Sequence, residues 1–371
     1  MDIRITKNSI FRPYNFFNAI VIIIGMVCMG NVFPFEYPDQ NSHDCSISRQ
    51  DDDLNAPEEK GFSAKNVNSV IVDEDNTKWF CTASGIISFD GKSWKHHEGI
   101  KKLPHKDLKG TMYVDSPEGG ELWIASPKGA TVFKLPIEDK VVAKTLKPGN
   151  SGVLSKEVLG IAAGNNSIRW VGTDKGVSAL SSDKWLASSY DMHYPKKMFA
   201  EFPITSMVTN LKGDSLYVGT AGAGIARIYK DNVDGISGAS VYAQWGPILL
   251  PSDNIRCIFI AQDGTKWFGT DEGIAKHTGN DTLDNWTIYT TDDGLVDNFV
   301  QAISGDNEGN IWFGTKEGIS VFNGSTWNSY TTEHGLAGNN VLSMITDHDG
   351  TVWIGTDTGI TCYQNEKFIN Y

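Results

Sequence analysis

The sequence predicts an all-β chain: a seven-bladed β-propeller of four-stranded antiparallel blades, behind an N-terminal export segment and a linker. Three observations carry that expectation. One Trp- and Gly-rich unit recurs seven times, anchored on Trp79, Trp123, Trp170, Tyr217, Trp267, Trp312 and Trp353. The anchors stand 44, 47, 47, 50, 45 and 41 residues apart, and a period of about 45 residues in short alternating segments is that of a propeller blade. Finally, the first strand of every unit carries a small residue at one fixed place: Ser69, Gly110, Gly160, Ser206, Cys257, Ala302 and Ser343. Blades converge on an axis and leave least room there, so small side chains are the packing solution. A helical repeat predicts no such row.

Taken in chain order, residues 1–30 read as a targeting segment. Arg4, Lys7 and Arg12 give a basic start, and Ala19 to Gly30 is a run of twelve residues without charge. That is a signal-peptide core length, whereas a full span needs about twenty apolar residues. Cys28-Met29-Gly30 offers small residues for a cleavage site. The longer stretch from Phe16 to Phe35 nearly spans a bilayer, so the expectation is a cleaved signal or, failing that, a retained membrane anchor. Residues 31–60 are polar and acidic, with Asp51-Asp52-Asp53 in a row, and read as a flexible linker. Residues 61–371 are the propeller.

Each unit parses the same way. The first strand alternates apolar residues, as in Val341 to Thr346, and a polar turn such as Asp347-His348-Asp349-Gly350 supplies tight-hairpin conformations. The second strand carries the Trp and a Gly-Thr pair. A further Gly (Gly85, Gly129, Gly176, Gly224, Gly273, Gly318, Gly359) ends the second hairpin. A third strand follows, then an outer strand that often holds two aromatics three apart: Trp94/His97, Tyr242/Trp245, Trp286/Tyr289, Trp327/Tyr330 and Phe368/Tyr371. All eleven Trp fall inside this repeat, six on second strands and five on outer strands. Packing therefore accounts for them without a sugar-stacking platform.

The most regular copies are DGTKWFGTDEGI, EGNIWFGTKEGI and DGTVWIGTDTGI, from Asp263, Glu308 and Asp349. The pattern Asn-x-Val, Asp-x-x-Gly-x-x-Trp-x-Gly-Thr-x-x-Gly-Ile, Trp-x-x-Tyr resembles the two-component-regulator propeller repeat of periplasmic sensors in hybrid histidine kinases of Bacteroidetes-like bacteria. The resemblance covers residues 61–371. It is looser in the first four units, where Cys81 and Ala125 replace the Gly of the Gly-Thr pair. It implies an extracytoplasmic sensor, periplasmic or in the cell envelope, that binds carbohydrate or another ligand. Family members usually add a second propeller, a further β domain, a membrane span and kinase domains. The chain ends at Tyr371 on the last aromatic of its seventh unit. The expectation is a complete final blade whose signal passes through a partner, either a separate membrane sensor kinase or an envelope protein.

The formal net charge is −13, which argues against nucleic acid as a partner. Five irregularly spaced cysteines give neither a disulfide framework nor a zinc ribbon. The Asp/Gly turns lack the spacing and closing Glu of a calcium loop, and the Gly-rich pieces lack the Lys-Ser/Thr of a phosphate loop. No metal, cofactor or catalytic residue is expected, since no His has a partner at fixed spacing.

The longest departures from the repeat are the loops between blades. One runs Glu98 to Asp107 and another Ser188 to Pro203, and both share a face with the turns after the Gly-Thr pairs. Loops on a rigid scaffold carry function. Cations and aromatics on an acidic protein suggest an oligosaccharide or another small anionic or polar ligand. The candidate ligand-binding residues on that face are Lys101, His105, Lys109, His193, Tyr194, Lys197, Asp253, Arg256 and Asn298. A cell-envelope interaction scaffold is the alternative from a different class. A propeller lyase, of the kind that inactivates streptogramins with a histidine, is the third.

Overall fold

The computed structural model describes residues 64–371 apart from 84, 98–107, 109, 115–119, 136, 138–142, 164–167, 182–183, 186–200, 214, 231–235, 243–249 and 280–284. Among the described residues the strands form seven four-stranded antiparallel sheets, each made of four strands consecutive in sequence. The inner strands are Ser69–Val72, Gly110–Val114, Val158–Ala163, Ile204–Thr209, Ile255–Ile260, Val300–Gly305 and Val341–Thr346. Each packs against the next, and the last packs against the first. This is the seven-bladed propeller that the repeat predicts. Among the described residues no helix is long and apolar enough to cross a membrane.

The row of small residues has a structural cause. Every one of them pairs with the residue at the Gly-Thr glycine position of its own second strand: Ser69 with Cys81, Gly110 with Ala125, Gly160 with Gly172, Ser206 with Gly219, Cys257 with Gly269, Ala302 with Gly314 and Ser343 with Gly355. Into the space so cleared comes the first apolar residue of the following blade. A Cβ on Gly219 would stand 2.6 Å from Ile255 Cγ2, and one on Gly355 would stand 2.6 Å from Val67 Cγ1. No real contact is that short, so the glycine lets two sheets interlock at native packing density.

The Thr of the pair has its own role. In all seven blades its hydroxyl (a Ser in blade 2) donates to the carbonyl of the next conserved Gly at 2.8–3.0 Å. That bond closes the second hairpin, and in blades 1 to 6 the Gly takes a positive φ, +132° at Gly273, which only glycine adopts cheaply.

The Trp anchors are buried, at 1–5% exposure. In blades 1, 6 and 7 the indole Nε1 donates to an Asp six residues earlier: Trp79 to Asp73 at 2.8 Å, Trp312 to Asp306 at 2.8 Å and Trp353 to Asp347 at 2.9 Å. The same carboxylate also accepts backbone N–H groups of its turn, as Asp306 does from Glu308 and Asn310. One side chain thus fixes both the hairpin and the anchor.

The ring closes without exchange of a strand. Asn66 and Val67 donate backbone N–H groups to the carbonyls of Asp357 and Thr356, each at 3.1 Å, and Ser343 Oγ donates to the Val67 carbonyl at 2.7 Å. Below them Lys78 Nζ meets Asp347 Oδ2 at 2.9 Å, with both side chains almost wholly buried. Trp94, Trp353 and Tyr371 pack across the same seam.

Candidate functional site

The inner strands of blades 4 to 7 share a device at their mouth end. Register slips between Ile204 and Ser206, Ile255 and Cys257, Val300 and Ala302, and Val341 and Ser343. The residue between each pair is left out of the ladder, and a bulge of this kind re-aims a side chain. Thr205 Oγ1 donates to the Ile255 carbonyl. Gln301 Nε2 donates to Asn340 Oδ1 at 2.7 Å and to the Val341 carbonyl at 3.0 Å. In blade 5 the bulge residue is Arg256, whose guanidinium lies 4.5 Å from the ring centroid of Phe299 in blade 6.

Phe299 carries a second cation. Lys316 Nζ, from the turn after the Gly-Thr pair of blade 6, stands 3.5 Å from the same centroid. The Lys316 backbone N–H donates to Asp297 Oδ2 at 3.2 Å, which holds the turn against the loop. Arg256 and Lys316 are exposed and Phe299 is half-buried. Among the described residues no carboxylate pairs with either cation. An aromatic face attracts each cation, and two positive charges held on one ring make a local anion-attracting spot on an acidic protein.

The sequence candidates divide into two groups. Lys101, His105, Lys109, His193, Tyr194 and Lys197 lie outside the described residues. Asp253, Arg256 and Asn298 are described, all on the mouth face. The Asp253 carbonyl accepts from Gly222 and Gly224 N–H at 3.1 and 2.9 Å, tying blade 5 to the turn of blade 4. Asn298 Oδ1 accepts from Thr291 N–H at 2.8 Å, and Asn339 does the same for Thr332 one blade later. Its carbonyl is therefore engaged in shaping the loop, leaving its Nδ2 donors. Arg256 alone of the three sits beside a further cation. Phe299 and Lys316 were missed, although the repeat marks both. Phe299 stands where the neighbouring blades have Asn254 and Asn340, and Lys316 where they have Asp271 and Asp357.

The described histidines serve mainly the fold. His334 Nδ1 accepts from Thr331 N–H at 3.1 Å and closes a capping box. His277, 1% exposed, packs on Trp286 at 4.6 Å. His97 stacks on Trp79 at 5.0 Å and shares a 2.9 Å hydrogen bond with Ser88 Oγ. Burial, then the charges of Lys95 and His96, push its pKa down to about 4. Between that value and the ordinary 6.5 the unfolded chain binds the extra proton, so the contribution is complete above pH 6.5 and lost as pH falls toward 4. Wild type should therefore lose melting temperature from pH 7 to pH 5 more steeply than His97→Phe. Parallel slopes in a thermal scan would contradict the assignment. The thiols of Cys81, Cys257 and Cys362 are all raised by burial, Cys257 to about 12 and Cys362 to about 11. They are packing groups at neutral pH. Among the described residues no group of His, Cys, Asp and Glu is placed to hold a metal.

Residues 294–317 and 335–358 match the two component regulator propeller family. The fold is that of several solved structures. With the extracellular domain of a hybrid two component system from B. thetaiotaomicron the chain shares 22% identity and a TM-score of 0.66, covering 83% of this chain and 39% of that one. A second such domain from the same organism gives 18% and 0.60, over 80% of this chain and 38% of the other. The chain thus spans well under half the length of both. A streptogramin B lyase is similar at 18% identity and TM-score 0.59, over 84% and 96% of the two chains. No curated protein gives a significant match. At these identities the likeness is one of fold.

Proposed function

We propose that this chain is an extracytoplasmic sensor-type propeller. On its mouth face it binds an oligosaccharide or another small anionic or polar ligand, and it relays binding to a separate membrane sensor kinase or envelope protein. The observation that carries the reading is the pair of exposed cations, Arg256 and Lys316, held 4.5 and 3.5 Å from the Phe299 ring centroid at the mouth end of blades 5 and 6. Two exposed cations held together by one ring suit a ligand with acidic or hydroxyl groups. The family match and the sensor-domain neighbours support the same class. The reading is of binding rather than turnover, since His97, His277 and His334 are engaged in packing and capping.

The test is a panel of acidic and neutral oligosaccharides against wild type and the double variant Arg256→Ala/Lys316→Ala. The variant should lose at least tenfold in affinity for the acidic ligand retained by wild type, about 1.4 kcal/mol. Its unfolding free energy should change by no more than about 0.5 kcal/mol, as for other exposed positions. Equal retention by both proteins would remove the mouth-face assignment. Co-purification of an envelope partner without any glycan retention would favour the scaffold.

A further inference from the structure

Blade 5 lacks the Trp-to-Asp bond of blades 1, 6 and 7. Six residues before Trp267, where blades 1, 6 and 7 have Asp73, Asp306 and Asp347, stands Ala261. The turn itself is unchanged. Ala261 N–H donates to the Thr265 carbonyl at 2.8 Å and Gly264 N–H to the Ala261 carbonyl at 2.9 Å, as their counterparts do around Asp306 at 3.0 and 3.2 Å. Only the carboxylate is gone. Asp263 has taken over one of its donors, accepting from Thr265 N–H at 2.8 Å and Thr265 Oγ1 at 2.9 Å, but not the indole. Trp267 is 3% exposed and its Nε1 has no acceptor. Trp170 Nε1 is also unpaired, but its turn lies outside the described residues.

A second change falls in the same place. The third-strand residue paired with the anchor Trp is Ser88 in blade 1, Val321 in blade 6 and Cys362 in blade 7. In blade 5 it is Lys276. Its Nζ lies 5.0 Å from the Trp267 ring centroid, and among the described residues no carboxylate pairs with it. Trp267 and Lys276 both line a cavity of about 600 Å³ bordered by blades 5, 6 and 7, on the hairpin-turn face opposite the mouth. Phe259, Asp263 and Asn307 also border it, as do Asp306 and Asp347, whose carboxylates are bonded to their own turns and indoles.

We infer that this cavity is a binding site for a small organic acid. The ligand's carboxylate takes the place of the missing Asp, accepting from Trp267 Nε1 and pairing with Lys276. An internal acid has been removed and a cation added around one buried donor, and a bound carboxylate answers both changes. A buried donor left without an acceptor is costly, and the ligand recovers that cost. The nearby Asp263 is no bar. Blades 1, 6 and 7 keep Asp75, Glu308 and Asp349 at its position, two residues after their own buried carboxylate. The indole N–H is closed to bulk water, so the acid group must insert beside Ala261 as the Asp side chains do. That favours a compact head group. The site is independent of the mouth-face reading.

The test follows the indole N–H resonances of 15N-labelled protein, with Trp267 assigned by Trp267→Phe. The probes are acetate and D-glucuronate, with D-glucose as the neutral match. The Trp267 resonance should move saturably with one or both acids and stay fixed with glucose. Lys276→Met should weaken that response at least tenfold. Ala261→Asp should shift the resonance without ligand and abolish the response, while the other indole peaks report that it is folded. Arg256→Ala/Lys316→Ala should respond as wild type does, so failure here and failure at the mouth are separable. No movement with either acid, an equal movement with glucose, or an undiminished response in Ala261→Asp would overturn the assignment.

Discussion

Asp347→Ala should destabilise the propeller by about 3–5 kcal/mol, the cost of stranding one partner of a buried ion pair. Asp347 Oδ2 meets Lys78 Nζ at 2.9 Å across the seam between blades 7 and 1 and accepts from Trp353 Nε1 at 2.9 Å. Its Oδ1 accepts from Thr351 and Asp349 N–H. Without it the Lys78 ammonium keeps one protein acceptor, the Asn76 carbonyl at 2.9 Å, and lies over the Trp353 ring at 5.4 Å. Asp306→Ala is the internal control. It removes the same turn and indole bonds in blade 6 and strands no cation, so its cost should be nearer 1–3 kcal/mol, about that of unsatisfied donors. The difference between the two midpoints in urea isolates the closure. If Asp347→Ala costs no more than Asp306→Ala, the ion pair contributes nothing to closing the ring. The companion Lys78→Met/Asp347→Leu should recover part of the loss, because a buried pair is often replaceable by apolar groups but not by half of itself.

That seam shows where the sequence stops being informative. The blades were legible because each repeats a local constraint: a buried Trp, a small residue facing a glycine, a Thr that closes a hairpin. Local constraints recur at a fixed spacing and can be aligned against each other. A cation directly before the anchor recurs in blades 3 and 5, where Arg169 and Lys266 lie over the anchor ring of the preceding blade. Only the closed ring shows that Lys78 meets Asp347 from the opposite end of the repeat array. The bulges were hidden for another reason. Arg256 and Gln301 sit between apolar residues as ordinary outward-facing strand positions do, and only the paired register shows them to be unpaired.

The candidate site was half legible. Arg256 was chosen as a cation on the mouth face, but its setting on Phe299 depends on a neighbouring blade. Attention to loop length and charge favoured the irregular loops and passed over single substitutions inside regular turns. Yet the regular turns are where a departure is sharpest. Lys316 reverses the charge of Asp271 and Asp357, and Ala261 deletes the carboxylate of Asp306 and Asp347. Where packing is the same in every blade, a residue that breaks the pattern without changing the backbone is free of the structural reason and needs another.

Trp312→Ala tests the anchor itself, and its expected cost is about 3–5 kcal/mol, as for other buried aromatic truncations. Three losses coincide there. The indole is 3% exposed, so its apolar area returns to a cavity that the surrounding sheets cannot easily fill. It stacks on Tyr330 of its own outer strand at 6.1 Å and touches Tyr363 of blade 7 at 4.9 Å, so it joins two blades. Its Nε1 also leaves Asp306 Oδ2, which retains Asn310 Nδ2 as a donor at 2.8 Å. Trp327→Ala removes the same side chain from the outer strand of the same blade, where it is half-buried. With part of its surface already in water, it should cost about 1–2 kcal/mol. Trp312→Phe should fall between them, keeping much of the buried area and losing the Asp306 bond. The order Trp312→Ala, Trp312→Phe, Trp327→Ala, read from urea midpoints at constant slope, is what the blade geometry requires. A Trp327→Ala loss equal to or larger than that of Trp312→Ala would mean that the second-strand indole does not anchor the blade.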